Sequence, residues 1–266
     1  MSTCGPSCGS CDSGKSQVLQ RLGVDMSRWD YTVALAGNPN TGKSTIFNAL
    51  TGLRQHTGNW PGKTISRAEG GFSFAGKQFK IVDLPGTYSL LSATPDEEVA
   101  RDFIMFGRPD VTVVVVDGTR LERNLNLVLQ VLQITDRAVV CVNLIDEAKS
   151  HGIEVDTRGL ARDLGVPVVG AAARQGVGIP ELLKEMAAVA SGEVVGRPYR
   201  LQLDVPQLSH AVTTAAEMLR QAFPKLQHVE WIAMRLIEGD RRVIAALESR
   251  ELGQLARDHD ASVVTS

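Results

Sequence analysis

The sequence predicts an α/β fold: a mainly parallel six-stranded sheet covered by helices, followed by a small all-helical domain. Three observations carry this. Gly37 to Ser44, Gly-Asn-Pro-Asn-Thr-Gly-Lys-Ser, fits the phosphate-binding pattern G-x-x-x-x-G-K-S between an alternating apolar run and a helically spaced one. The β-branched runs Val111 to Val116 and Ala138 to Val142 are separated by a helical stretch, the order expected of parallel strands joined by crossover helices. Beyond about Ser191 helical periodicity takes over.

The chain has 266 residues, 43% hydrophobic and 22% charged, with a formal net charge of −2. That composition is ordinary for a globular protein and leaves no electrostatic footprint for nucleic acid, which is not expected as a partner. The longest strongly apolar runs fall far short of the roughly 18 residues a membrane-spanning helix needs, and the start lacks the apolar core of a secretory signal. A cytoplasmic location is the expectation.

Residues 1–30 read as a Cys-, Gly- and Ser-rich leader, disordered apart from a short helix around Gln17 to Leu22. Its thiols, Cys4, Cys8 and Cys11, have the spacing C-x-x-x-C-x-x-C, which could supply three corners of an iron–sulfur cluster or part of a metal site. No fourth ligand lies nearby and nothing apolar would shield a cluster. Incidental thiols are therefore the favoured reading. Cys141, inside an apolar run, is expected to be buried and inert. Gly14-Lys15-Ser16 lacks the upstream glycine and strand that would make it a second phosphate loop.

In chain order, Tyr31, Val33 and Leu35 alternate with smaller residues as a strand does, and Ile46, Phe47, Leu50 and Leu53 mark the buried face of the next helix. Between them, Gly37, Asn38, Pro39, Asn40, Thr41, Gly42, Lys43, Ser44 and Thr45 would surround a polyphosphate with backbone N–H groups. There Lys43 would meet the β/γ oxygens and the Ser44 hydroxyl would ligate Mg²⁺. Gly58 to Thr64 is too rich in Gly and Pro for an element interior and reads as a mobile loop. Gly70 to Ala75 and Lys77 to Val82 read as a hairpin that runs into Asp83-Leu84-Pro85-Gly86. At the carboxyl end of a strand, Asp83 can reach the Mg²⁺ shell and the Gly86 N–H can reach the γ-phosphate.

After Val111 to Val116, a helix from about Asn124 to Gln133 leads to Ala138 to Val142, and then to Asn143-Leu144-Ile145-Asp146. The carboxylate of such an N-x-x-D at a strand end can accept from the N1–H and exocyclic amine of guanine, whereas adenine presents an acceptor at N1. A helix at Thr157 to Leu164 and a strand at Val166 to Gly170 lead to Ala171-Ala172-Ala173-Arg174, whose backbone amides could meet guanine O6. Pro180 opens a helix with Leu182, Leu183, Met186, Ala187 and Ala190 on its apolar side. Beyond a Gly/Pro linker, Leu208, Ala211, Val212, Ala215, Met218, Leu219 and Ala222 form one amphipathic stripe. Trp231, Ile232, Leu236, Val243, Ile244 and Leu247 supply further helix faces.

Gly37 to Ser44, Gly58 to Thr64, Asp83 to Leu90 and Asn143 to Asp146, with Arg-Pro-Tyr-Arg at Arg197 to Arg200, together resemble the cytosolic amino-terminal region of FeoB-type ferrous iron transporters. The resemblance covers about Tyr31 to Arg250. It implies a P-loop GTPase fold over residues 31–195 that binds GTP and GDP with Mg²⁺ and hydrolyses GTP slowly under K⁺ stimulation. The helical accessory domain, 196–266, would restrain GDP release. A membrane permease is expected beyond the carboxyl end, which would place this part at the cytoplasmic face of the bacterial inner membrane; a homo-oligomer stays open.

Carried onto this chain, Thr64 resembles the switch threonine that closes on Mg²⁺ and γ-phosphate. Asn40 resembles the asparagine that binds an activating K⁺, with carbonyls of Gly58 and Trp60 added. Lys43, Thr64, Gly86 and Asn40 are then the catalytic group. Leu144 stands where the broader pattern N-K-x-D has Lys, which weakens the support of the base, and Ala172 stands where Ser is common. Thr87, after the Asp-Leu-Pro-Gly turn, cannot orient an attacking water as a glutamine would; no obvious arginine finger compensates, and K⁺ held beside the β- and γ-phosphates could replace part of an arginine's contribution. Two other classes remain beside this reading: a ribosome-assembly GTPase that works on RNA, and an iron-sensing module centred on Cys4, Cys8 and Cys11.

Overall fold

The computed structural model describes residues 18–52, 55–91, 94–200, 205–224, 226–249 and 252–253. The chain divides into two compact units, Leu22–Leu201 and a second that combines Met1–Arg21 with Gln202–Ser266. The larger unit is built on strands β1 (Tyr31–Gly37), β2 (Gln55–Asn59), β3 (Ser66–Phe74), β4 (Lys77–Asp83), β5 (Val111–Asp117), β6 (Ala138–Asn143) and β7 (Val168–Gly170). They form one seven-stranded sheet in the order β2-β3-β4-β1-β5-β6-β7. Pairing from β4 through β1 and β5 to β7 is parallel, while β2, β3 and β4 pair antiparallel.

Continuous apolar runs form the middle of the sheet because those strands are covered on both faces. Val33, Leu35, Val113, Val115, Val139 and Cys141 face one side, where Ile46, Phe47 and Leu50 of α1 (Lys43–Thr51) join Leu182, Met186 and Val189 of α6 (Ile179–Ser191). The alternate residues point the other way by the two-residue period of a strand. That side is covered by α2 (Pro95–Gly107) and α3 (Leu121–Ile134), which bury Phe103, Leu127, Val128 and Val131. The short helices α4 (Ile145–Ser150) and α5 (Thr157–Leu164) lie between β6 and β7 in the chain. The β3–β4 turn has Ala75 and Gly76 at φ 49° and 75°, the left-handed pair of a tight hairpin turn.

Three expectations about this unit are corrected. The sheet has seven strands and not six, because Gly58 and Asn59 end the edge strand β2 and do not belong to an irregular loop. Thr57, Gly58 and Asn59 pair with Ala68, Arg67 and Ser66, so backbone bonding makes a strand of a segment without apolar periodicity. The last strand is shorter than read, starting at Val168. The leader stops being separate before Asp30. Val24 is fully buried, Arg67 donates to the Leu22 and Gly23 carbonyls at 2.7 and 2.9 Å, and the Trp29 ring lies against Gly71, where a Cβ would collide with it.

In the other unit, Val18–Arg21 is helical within the expected Gln17 to Leu22. After the linker come α7 (Pro206–Ala222), α8 (Val229–Ile237) and α9 (Arg241–Glu248). Val212, Ala216 and Leu219 of α7 are buried, as are Trp231, Ile232 and Ala233 of α8 and Val243 and Ala246 of α9. The α7 stripe is narrower than its pattern suggested, since Ala211, Met218 and Ala222 are exposed. Asp240 caps α9 by accepting from the Arg242 and Val243 N–H groups at 3.0 and 3.2 Å.

Candidate nucleotide-binding site

The phosphate loop joins β1 to α1 and is shaped by left-handed residues, Asn40 at φ 65° and Gly42 at φ 80°. Glycine is required at Gly37 by close approach, because a Cβ there would stand 2.6 Å from the Val115 carbonyl. The Thr41 hydroxyl donates to the Asn38 carbonyl at 2.9 Å and tightens the turn. The helix then starts at Lys43, and the first N–H groups of a helix have no intrahelical partners, which is the requirement for cradling an anion. Asn38 is 2% exposed, and its amide Oδ1 and Nδ2 have no partner among the described residues. An orphaned polar side chain at this loop fits a site made to be completed by a polar ligand.

The Asp83 turn is drawn against the same loop. Leu84 donates to the Leu35 carbonyl at 3.0 Å and Thr87 to the Gly37 carbonyl at 3.3 Å. Lys43 ion-pairs with Asp83 and donates to the Leu84 carbonyl at 2.7 Å. Lys43 therefore rests on the turn from which the second phosphate contact was expected. Burial pushes the Asp83 carboxyl above its ordinary range, with Lys43 opposing. Further on, Gln130 of α3 accepts from the Leu90 N–H at 2.6 Å and the Ser89 hydroxyl at 3.3 Å, so the turn is anchored at its far end as well. No sequence signal singled out Gln130.

A cleft of about 580 Å³ is lined by Lys43, Asp83, Leu84, Pro85 and Gly86 on one side and by Thr57, Gly58, Asn59 and Ser66 to Ala68 on the other. Ser44 is exposed beside Lys43. One hydroxyl and one carboxylate are the sparse hard-oxygen set that suits Mg²⁺, which keeps waters and takes few protein ligands. Thr64, expected to close on Mg²⁺, is exposed and is not among the residues lining the cleft. Its turn is closed by Trp60 donating to the Ile65 carbonyl at 2.9 Å and Lys63 donating to the Trp60 carbonyl at 3.0 Å. The Trp60 ring is buried edge-on against Phe103 at 5.5 Å, under the Arg67 guanidinium at 5.3 Å, and Lys63 pairs with Glu98 at 2.5 Å. The neutral oxygens expected for K⁺ suit a monovalent ion in kind. Of the three residues expected to supply them, Gly58 lines the cleft, and Asn40 and Trp60 are not among its lining residues.

At the base end, Asn143 ties the loops together. Its Nδ2 donates to the Thr41 carbonyl at 2.9 Å and its Oδ1 accepts the Ala173 N–H at 3.1 Å. Leu144 takes a left-handed φ of 62° and turns the chain so that Asp146 enters the first turn of α4. The Ala172 and Ala173 amides, expected to face guanine O6, are already engaged, Ala172 with the Val177 carbonyl at 3.0 Å and Ala173 with Asn143. Cys141 is buried as expected, and burial pushes its thiol up to about 12. Cys4, Cys8, Cys11 and Leu53 lie outside the described residues, and among those described no group of three or more His, Cys, Asp or Glu could hold a metal. None of the described helices is long and apolar enough to cross a membrane.

The sequence profile of the family described as Ferrous iron transport protein B matches residues 31–186, more than half of the chain. The chain belongs to the FeoB family. It is 38% identical over 213 residues to the Fe(2+) transporters FeoB of Shigella flexneri and Escherichia coli K12, across 79% of this chain and 27% of each relative. The chain thus spans about a quarter of the length of these transporters. Among solved structures, the cytosolic domain of L. pneumophila FeoB superposes with a TM-score of 0.74 at 33% identity, covering 84% of this chain and 88% of that one. The apo cytosolic domain of T. maritima FeoB gives 0.72 at 34% identity, covering 84% and 86%. The same T. maritima domain was solved in GDP and GMPPNP forms. The P-loop GTPase fold expected from the sequence is therefore the fold of the chain.

Proposed function

We propose that the chain is the GTP-hydrolysing switch of a ferrous iron transporter, binding GTP and GDP at the cleft between the phosphate loop and β2. The observation that carries this is Asn143, whose side chain ties the phosphate loop to the loop after β7, the two segments expected to hold the phosphates and the base. The nucleotide-bound T. maritima forms support the same reading.

Ser44 and Asp83 would hold Mg²⁺, partly through water, and Thr64 would join them. Bound there, Mg²⁺ supplies positive charge to the β- and γ-phosphate oxygens. Lys43 exchanges its Asp83 contact for phosphate oxygens. Gly86 presents its N–H to the γ-phosphate, and Asp146 reads the base. Thr64 reaches the site only when the Trp60 turn opens, so closure of the switch means withdrawing Trp60 from Phe103. Asn40, Gly58 and Trp60 would hold K⁺ once that segment has moved. The division of labour is a nucleotide-binding part followed by a helical part that slows GDP release. This part would work at the cytoplasmic face of the inner membrane, joined to a permease through which the iron passes.

The test is titration with fluorescent GDP and ADP analogues together with phosphate release from GTP. Micromolar or tighter GDP binding, weak ADP binding and turnover lost in Lys43→Ala support the proposal. Equal affinity for both bases overturns its guanine part, and turnover unchanged in Lys43→Ala overturns its catalytic part.

A further inference from the structure

Asp146 receives a hydrogen bond from Gln175 Nε2 to its Oδ2 at 2.8 Å. The two residues come from different loops: Asp146 opens α4, and Gln175 ends the one-turn helix Ala173–Gln175 that comes after β7. That turn is itself well fixed. The Gln175 N–H donates to the Ala172 carbonyl at 2.9 Å, Gly176 to Ala173 at 3.2 Å, and Ala172 to Val177 at 3.0 Å. Gly176 at φ 73° and Gly178 at φ 79° let the chain double back, and a Cβ on Gly178 would collide with the Gly170 carbonyl. The side-chain amide that leaves this turn therefore starts from a defined point.

Among the described residues, neighbouring positions give the carboxylate no other side-chain donor. Ala172 carries no side-chain donor and Leu144 no ammonium group. Among the described residues Gln175 makes the one hydrogen bond to Asp146 Oδ2. A carboxylate turns easily about its last side-chain bond, whose preference is broad. Reading guanine needs both of its oxygens in the plane of the base edge, one for N1–H and one for the exocyclic amine.

We propose that Gln175 is a positioning residue for guanine selectivity, its amide holding the Asp146 carboxylate in the orientation in which both oxygens meet the base. The proposal rests on the guanine-reading role of Asp146. A carboxylate has about four lone-pair sites, so one donor on Oδ2 leaves room for the two base donors. Fixing the group beforehand removes the ordering cost from the binding step. The hydrogen bond also fastens the base loop to α4, so the parts that touch different atoms of the base move together.

The discriminating pair of probes is fluorescent GDP and its inosine counterpart, which lacks the exocyclic amine, titrated against the full chain. Gln175→Ala is expected to weaken GDP binding by about fivefold and inosine diphosphate binding by less than about twofold, which narrows the preference between them. Gln175→Glu, of the same size but with an acceptor in place of the donor, is expected to weaken GDP at least as much. Equal weakening of both nucleotides, or an unchanged ratio, overturns the proposal and leaves Gln175 as a residue of the loop alone. Failure of the unsubstituted chain to prefer GDP to ADP overturns the guanine reading of Asp146 and the inference with it.

Discussion

Lys43, the first residue of α1, and Asp83, the last residue of β4, form an ion pair on the floor of the cleft. Each is held by its own element, Lys43 being expected to meet the β/γ-phosphate oxygens and Asp83 the Mg²⁺ shell. The pair couples the positions of the two loops when no phosphate separates them.

Asp83 also makes stability depend on pH in a defined direction. Burial raises its pKa on folding, with Lys43 opposing. A carboxyl raised in this way contributes stability that is fully present below its unfolded pKa and is lost as pH rises through the folded value. The melting temperature of the nucleotide-free chain minus that of Asp83→Asn should therefore fall as pH is raised from about 4 towards 7. Scanning calorimetry in small pH steps reads this, and a flat difference would remove Asp83 as the titrating group.

Asn143→Ala should be costly for a side chain that touches no solvent. It leaves the Thr41 carbonyl and the Ala173 N–H without their partner, at a cost of about 2–3 kcal/mol in urea unfolding. GDP affinity should fall in the same variant, because both loops lose their mutual fixing. A loss under about 0.5 kcal/mol would mean that water substitutes for the amide.

Asp146→Asn exchanges an acceptor for a donor. GTP affinity should fall by at least about tenfold and xanthosine triphosphate affinity should rise, since xanthine presents a carbonyl where guanine has its amine. Titration with both fluorescent analogues measures the exchange. Unchanged GTP affinity would leave Asp146 as an ordinary helix-start residue.

If Asn40 supplies an oxygen to an activating cation, phosphate release from GTP should be faster in K⁺ than in Na⁺ at equal ionic strength. Asn40→Ala should abolish the difference and leave GDP affinity largely intact. Equal rates in the two salts for the unsubstituted chain would remove K⁺ from the mechanism and leave the position of Thr87 without a substitute for the missing glutamine.

The sheet centre was legible from its apolar runs, and two of the expected loops, Gly37 to Ser44 and Asn143 to Asp146, come directly after such strands, whereas the Asp83 turn was read from the hairpin before it. Val33 to Ala36, Val111 to Val116 and Ala138 to Val142 announce themselves, and the residues next in the chain stand at the sheet's carboxyl end by geometry. β2 was not legible, because Gln55 to Asn59 has no apolar alternation and owes its extended form to pairing with β3. The attachment of residues 22–30 was hidden for the opposite reason. It rests on two isolated apolar residues, Val24 and Trp29, and on Arg67 from far along the chain. The Ala172 and Ala173 amides were expected to face the base, but a sequence carries no sign that Val177 and Asn143 already hold them. Gln130 and Gln175 act through side-chain contacts across distant segments, and no local pattern marks such residues.

Trp60 has a consequence for how the protein changes state. His56 to Asn59 are exposed, so among the described side chains the one that fastens the edge strand beyond its ladder with β3 is the Trp60 ring at its end. Burial of such a ring is worth about 2–3 kcal/mol, less the cost of an indole N–H left without an acceptor, against roughly 5–15 kcal/mol for a whole domain. Withdrawing the ring would free an outer layer of the sheet while its centre stays closed. On the proposed reading, the segment that answers to the nucleotide is thus the one whose rearrangement leaves the folded state intact.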